Sequence, residues 1–242
     1  MSALNNFLFI ALPYVAMAVF LAGSIYRYRA SPFKISSLSS QFLEGEKLFW
    51  ASVPFHLGLM MVLLLHLWAV LFPNTLLSWN SIPVRLVFLE ITGFMFALGF
   101  LFGLIFLIFR RVSNARVWVV TTWMDMVIEL LLLCQVILGC LIALGYRWGS
   151  AWFASDLSPY LWSLMKLDPR IDAVVSMPGI VQAHVVGFFL IVLIFPFTRL
   201  MHFLVLPFHY LLRPYQQVIW NWDRKSINNP DAPWTQQKPK NN

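Results

Sequence analysis

Five stretches of this sequence are apolar for long enough to cross a lipid bilayer as helices: about 7–26, 51–71, 86–109, 124–145 and 181–206. A helix rises about 1.5 Å per residue and the hydrocarbon core is about 30 Å thick, so some twenty apolar residues suffice. Backbone amides inside a bilayer have no water to bond to, and the helix satisfies them within one segment. The expected fold is therefore an all-α integral membrane protein with five transmembrane helices in a bundle. Composition agrees: 60% of the 242 residues are hydrophobic and 11% are charged, too few charges to clothe a soluble domain of this size. The first run lacks a basic leader and a small-residue cleavage site, so it reads as a retained span and not as a signal peptide.

The formal charge of +7 would suit nucleic acid, but the charges lie in the gaps between apolar runs, which excludes that class. Five spans put the two ends of the chain on opposite sides. One set of loops holds Arg27, Arg29, Lys34, Lys47, Arg110, Arg111, Arg116, Arg199, Arg213, Arg224, Lys225, Lys238 and Lys240, thirteen in all. The other holds four: Arg85, Arg147, Lys166 and Arg170. The positive-inside rule then sets the C-terminus in the cytoplasm and the N-terminus outside. The chain divides into a transmembrane domain, 1–206, and a cytoplasmic helix extension and tail, 207–242. The tail is polar and carries Pro214, Pro230, Pro233 and Pro239; its last dozen residues are expected to be disordered without a partner. The outer loop from about 146 to 180 carries Trp148, Trp152 and Trp162, expected as an interfacial belt with a short helix lying on the membrane. Cys134 and Cys140 point to different faces of one helix, which rules out a disulfide between them and reads as buried packing.

Histidines carry the chemistry. His184 and His202 bracket the fifth run; on an unbroken helix they share one face about 27 Å apart. His56 and His66 lie on the second run, about 15 Å apart and about 80° apart in azimuth. The second span runs outward and the fifth inward, so the histidines level in depth are His66 with His184 near the outer face and His56 with His202 near the inner face. An imidazole in lipid needs a partner. Two bis-histidine sites at two depths are what a transmembrane electron relay of six-coordinate haems requires. The competing readings are histidines hydrogen-bonded across the bundle, and a transition-metal transporter, for which carboxylate and Cys/Met clusters at those depths are missing. His209 falls in the cytoplasmic extension and reads as a surface or partner contact.

Charges near the spans admit paired readings. Arg199, three residues before His202, suits a haem propionate or a lipid phosphate. Arg110 and Arg111 suit the same task or a positive-inside stop. Arg85 and Glu90 open the third span: Glu90 as proton acceptor and Arg85 as orienting group for a quinol, or the two as a local ion pair. Asp125 and Glu129 open the fourth span, where capping and pairing with the nearby arginines is expected.

The chain carries Gly23-Ser-Ile-Tyr-Arg-Tyr28, Ser39-Ser-Gln41, Phe55-His-Leu-Gly58 with His66, Arg110-Arg111, Arg116, Thr121-Thr122 with Asp125, and His184. Its most specific block is Phe195-Pro-Phe-Thr-Arg-Leu-Met-His202 followed by Pro207, Tyr210-Leu211 and Tyr215-Gln216. On these residues the chain resembles the gamma subunit of respiratory nitrate reductase, a membrane cytochrome b. The resemblance implies that the four histidines ligate two b haems in the pairs above. It implies a quinol oxidation site by the outer haem, with protons released outside. It also implies electron transfer from the inner haem to an iron–sulfur (beta) subunit, docked with a molybdenum-cofactor (alpha) subunit on the cytoplasmic face of the cell inner membrane. The family carries a lysine near the start of the third span where this chain has Arg85, and the residues from Arg224 on match nothing in it. Similar cytochromes serve sulfur-pathway and heterodisulfide-reductase-like complexes. A haem-free anchor or transporter is the reading from another class.

Overall fold

The computed structural model describes residues 2–30, 40, 43, 46–204, 229 and 231. Five long helices carry the five apolar runs: α1 (Ala3–Ala30), α2 (Glu46–Leu71), α3 (Pro83–Ser113), α4 (Trp123–Gly145) and α5 (Gly179–Ile194). Each is long and apolar enough to cross a membrane, α5 when counted with the turn that follows it to Phe197. The first four cover the expected runs with a few residues to spare. The expected extension and tail at 207–242, with His209, lie outside the described residues apart from Asn229 and Asp231.

The continuous helix expected from 181 to 206 does not form. α5 stops at Ile194, Phe195–Phe197 makes one 3-10 turn, Thr198 is extended, and Arg199–Leu204 is again 3-10. Pro196 is the cause, since it has no N–H and its ring clashes with the carbonyl four residues back. The carbonyls loosened there turn to α1: Arg27 Nη1 donates to Pro196 O at 2.6 Å and to Thr198 O at 2.9 Å. Gly23 lets α1 come this close, because a Cβ on it would stand 2.8 Å from the Pro196 ring. The spacing and shared face of His184 and His202 derived for an unbroken helix therefore do not hold.

α2 and α3 touch backbone to backbone. A Cβ on Gly58 would lie 2.5 Å from Phe96 O and Phe100 N, and one on Gly103 would strike Phe55 N and lie 2.7 Å from Ala51 O. Small residues of this kind let membrane helices gain dispersion energy where the hydrophobic effect gives none. Phe55, Phe100 and Leu104 of this contact continue into a core with Ile128, Leu132 and Val136 of α4.

The segment from 146 to 178 is not a surface loop. It folds into short helices, among them Gly149–Trp152, Ser158–Met165 and Asp172–Ser176, and buries Leu157, Tyr160, Ile171 and Val174 against α1 and α5. Its polar groups serve backbone that prolines elsewhere leave unserved. Pro13 has no N–H for the carbonyl of Phe9, and Tyr160 Oη donates to that carbonyl at 2.8 Å. Pro73 likewise cannot serve Ala69, whose carbonyl accepts from Ser158 Oγ at 2.7 Å. Trp162, expected at the membrane interface, donates its indole N–H to Val70 O at 2.7 Å. Burial, with the nearby Tyr14 phenol, pushes the Tyr160 phenol above its ordinary range, so it stays a donor.

At the arginine-bearing end, Asn114 caps the short helix Ala115–Val119, and Thr122 opens α4 through a capping box with Asp125. Asp125 is buried and meets Arg199 Nε at 2.8 Å and Arg111 Nη1 at 3.7 Å, while Arg111 Nη2 meets Glu129 at 2.8 Å. Capping and arginine pairing are thus found together.

Candidate functional site

Two ring pairs stand between α2 and the chain of α5. His66 and His184 have ring centroids 6.4 Å apart with planes 38° apart. His56 and His202 have centroids 6.5 Å apart with planes 67° apart. These are the level pairs read from the sequence. Both form although α5 is broken: the Pro196 turn and the 3-10 segment after Thr198 carry His202 to His56. α2 packs mainly along α3, whereas α5 packs mainly on α1 and α4.

Hydrogen bonding fixes which nitrogen each ring offers. His56 Nδ1 lies 2.8 Å from Ser52 O, His66 Nδ1 2.8 Å from Val62 O, and His202 Nδ1 2.6 Å from Arg199 O. A carbonyl oxygen only accepts, so in these three rings Nδ1 carries the proton and Nε2 is a bare donor atom for a metal. A metal–imidazole bond is about 2 Å and a ring centre lies about 1 Å behind its nitrogen, so two imidazoles across one metal put their centres about 6 Å apart. Both pairs match that spacing, and the residues fit a bis-imidazole haem at each site. Among the described residues no three His, Cys, Asp or Glu side chains converge on one point, as a haem-free metal site would require. Phe55 stands edge-on to His56 at 5.0 Å and Phe153 edge-on to His66 at 5.4 Å, apolar walls that hold the rings in place.

Other candidate residues are dispersed. Arg85 and Glu90 do not pair with each other: the Arg85 guanidinium lies 5.1 Å over the Trp79 ring, and Glu90 Oε1 accepts from Ser150 N at 2.8 Å and Ser150 Oγ at 2.6 Å. Asn80 Nδ2 donates to the same Ser150 hydroxyl at 3.0 Å. Glu90 thereby ties α3 to the segment that brings Phe153 onto His66. A cavity of about 390 Å³ opens at this end, lined by Tyr146, Arg147, Trp152, Met177, Pro178 and Val181. Arg199 is engaged by Asp125 and by Val120 O, at 2.9 Å from its Nη2. Arg110 is buried and donates to Ser40 Oγ and Ser40 O. Cys140 is buried as expected, but Cys134 is exposed, because six residues turn a helix by about 240° and the face it reaches is unpacked.

One residue against His184 escaped the sequence reading. Gln135 Nε2 donates to His184 O at 3.0 Å, and Gly139, one turn on, gives the ring room: a Cβ there would lie 3.2 Å from His184 Cε1. The signal was present as a lone amide inside an apolar span.

The chain matches the family model described as nitrate reductase gamma subunit over residues 5–221. The chain belongs to the nitrate reductase gamma subunit family. Among curated members, it is 32% identical over 233 residues to the respiratory nitrate reductase 1 gamma chain of Escherichia coli (strain K12), covering 90% of this chain and 98% of that one. It is 29% identical over 208 residues to the nitrate reductase gamma chain of Bacillus subtilis (strain 168), covering 84% and 93%. It is 33% identical over 211 residues to the nitrate reductase-like protein NarX of Mycobacterium tuberculosis (strain ATCC 25618 / H37Rv), covering 84% of this chain but spanning only 32% of that longer relative. Membership of the gamma subunit family makes this an oxidoreductase-linked chain with transmembrane-type helices.

Proposed function

We propose that this chain is a membrane cytochrome b that oxidises quinol near the outer face of the cell inner membrane and delivers electrons to a cytoplasmic iron–sulfur subunit. The observation that carries the reading is the pair of facing imidazoles at 6.4 Å and 6.5 Å. His66 and His184 hold one b haem and His56 and His202 the other. When bound, the two haems supply one-electron redox chemistry between a two-electron quinol and one-electron iron–sulfur centres.

The chain's own residues do the rest. Main-chain carbonyls at Ser52, Val62 and Arg199 hold the proton on Nδ1 of three ligands and raise their basicity. The arginine-rich end, with Arg27, Arg110, Arg111 and Arg116, is the cytoplasmic one by the positive-inside rule, which makes His66/His184 the outer pair. At the outer end Glu90 takes a proton from the quinol. Its Oε1 is held by Ser150, so Oε2 is the acceptor. Arg85, exposed beside Trp79, orients a quinol oxygen. Arg199, held by Asp125 and Val120 O, would lend its positive charge to a propionate of the inner haem, and through its carbonyl it fixes His202. The gamma-chain names of the relatives support nitrate as the terminal acceptor; the partners in this reading are an iron–sulfur (beta) subunit and, through it, a molybdenum-cofactor (alpha) subunit.

The test is a dithionite-reduced minus oxidised spectrum of the purified protein with pyridine-haemochrome quantitation. Two b haems per chain are expected. A colourless protein would return the four histidines to packing and end the reading.

A further inference from the structure

Three of the four histidines have Nδ1 tied to a carbonyl of their own turn, and His184 does not. Its Nδ1 is buried and has no close hydrogen-bond partner among the described residues, although the ring also meets the main chain of Gln135 across the helix crossing. One other atom at this contact, Gln135 Oε1, is likewise buried without a close partner among the described residues. The two belong to the same helix crossing: Gln135 Nε2 donates to His184 O at 3.0 Å, binding the residue's main chain to α4. A glycine attends each partner. A Cβ on Gly139 would lie 3.2 Å from the His184 ring, and a Cβ on Gly187 would strike Gln135 Oε1. A donor and an acceptor are therefore both orphaned in one apolar contact where glycines leave space around them.

We propose that Gln135 is the positioning residue of the outer site: its Oε1 takes the Nδ1 proton of His184, directly or through one bound water, and so turns Nε2 toward the iron. Buried polar atoms find partners, and a water needs only a few polar groups to sit in such a place. Gln135 thus does from a neighbouring helix what the carbonyls of Ser52, Val62 and Arg199 do locally. An acceptor on the far ring nitrogen makes the ligand more basic and favours the oxidised iron. The inference rests on the haem reading, and the test separates the two.

Haem midpoint potentials and low-spin ferric EPR signals are measured on the native protein and on Gln135→Leu, with the outer haem assigned as the one missing from His66→Leu. In Gln135→Leu two haems per chain are expected. The outer potential rises and its EPR signal shifts, while the inner haem is unchanged. Both haems unchanged, or both shifted together, overturns the proposal. If Gln135→Leu loses the outer haem, Gln135→Glu decides, because it keeps an acceptor oxygen at the same reach. A retained outer haem with a potential at or below the native one supports the proposal, and its loss overturns it. A native protein without haem fails the underlying reading instead.

Discussion

Asp125 and Arg199 form an ion pair of 2.8 Å that fastens the broken end of the fifth apolar run to the start of the fourth helix. The pair matters because Arg199 also lends its carbonyl to His202, so the capping residue of one helix sets the position of a candidate ligand beyond another. The helix break at Pro196 removes the usual ladder from this segment, and side chains of α1 and α4 replace it.

Asp125→Ala removes the capping box and the buried carboxylate that meets both Arg199 and Arg111. Breaking a buried pair from one side costs about 3–5 kcal/mol, and this variant is expected at the lower end because Arg111 keeps Glu129. Thermal melting in detergent should fall, and pyridine-haemochrome analysis should find close to one haem per chain, with His66/His184 loaded. An unchanged melt with two haems would show that Arg199 holds His202 without help.

Gly103→Ala places a methyl group against the backbone of α2 at Phe55 and Ala51, where nothing flexible can give way. Overpacking of this kind costs about 1–3 kcal/mol. Gly145→Ala is the control, since nothing lies within 4 Å of its Cβ position. A lower melting temperature for the first variant and no loss for the second is the expected pattern; equal melts would mean that the α2–α3 contact is looser than described.

Glu90→Gln keeps an oxygen for Ser150 and so keeps the fold, but it has no carboxylate to take a proton. Quinol-driven haem reduction should slow by roughly 10²–10⁴-fold, the usual worth of a general base, while dithionite still reduces both haems. Native quinol turnover in this variant would leave Glu90 as a structural tie alone.

Tyr160 gives a pH dependence with a definite sign. Its phenol is held above the ordinary range in the folded chain, so the folded state favours the protonated form. That stability is present below the unfolded value of about 10 and is lost as pH rises beyond it, when the unfolded phenol ionises first. Melting temperature should therefore fall on the alkaline side in the native protein. Tyr160→Phe should melt lower at neutral pH and show a shallower alkaline decline; parallel curves would refute the assignment.

Much of this was written plainly in the sequence. Twenty apolar residues in a row have few options in a bilayer, and histidines among them demand a partner, so the five helices and the level pairing could be read directly. Thr122 and Asp125 announced a helix start by local chemistry. What stayed hidden depends on contacts between distant residues. Pro196 was visible, but a proline in an apolar run can bend a helix or end it, and Arg27 and Gly23 of another helix decide which. The tryptophans of the 146–178 segment suggested an interface, but nothing local showed that Tyr160, Ser158 and Trp162 meet bare carbonyls of α1 and α2. Gln135 escaped notice because a lone amide in an apolar span acquires a meaning only from its neighbour on another helix, His184.

The carbonyls of Phe9 and Ala69 accept from hydroxyls that follow 151 and 89 residues later in the chain. During synthesis, the first two helices therefore enter the bilayer with backbone groups that the ribosome has not yet supplied with partners. In lipid each such group costs several kcal/mol. Nascent chains stopped before Ser158 should accordingly stay with the insertion machinery or be degraded. The histidines of α2 then wait beside them, because the residues that face them on the fifth segment are made more than a hundred positions later.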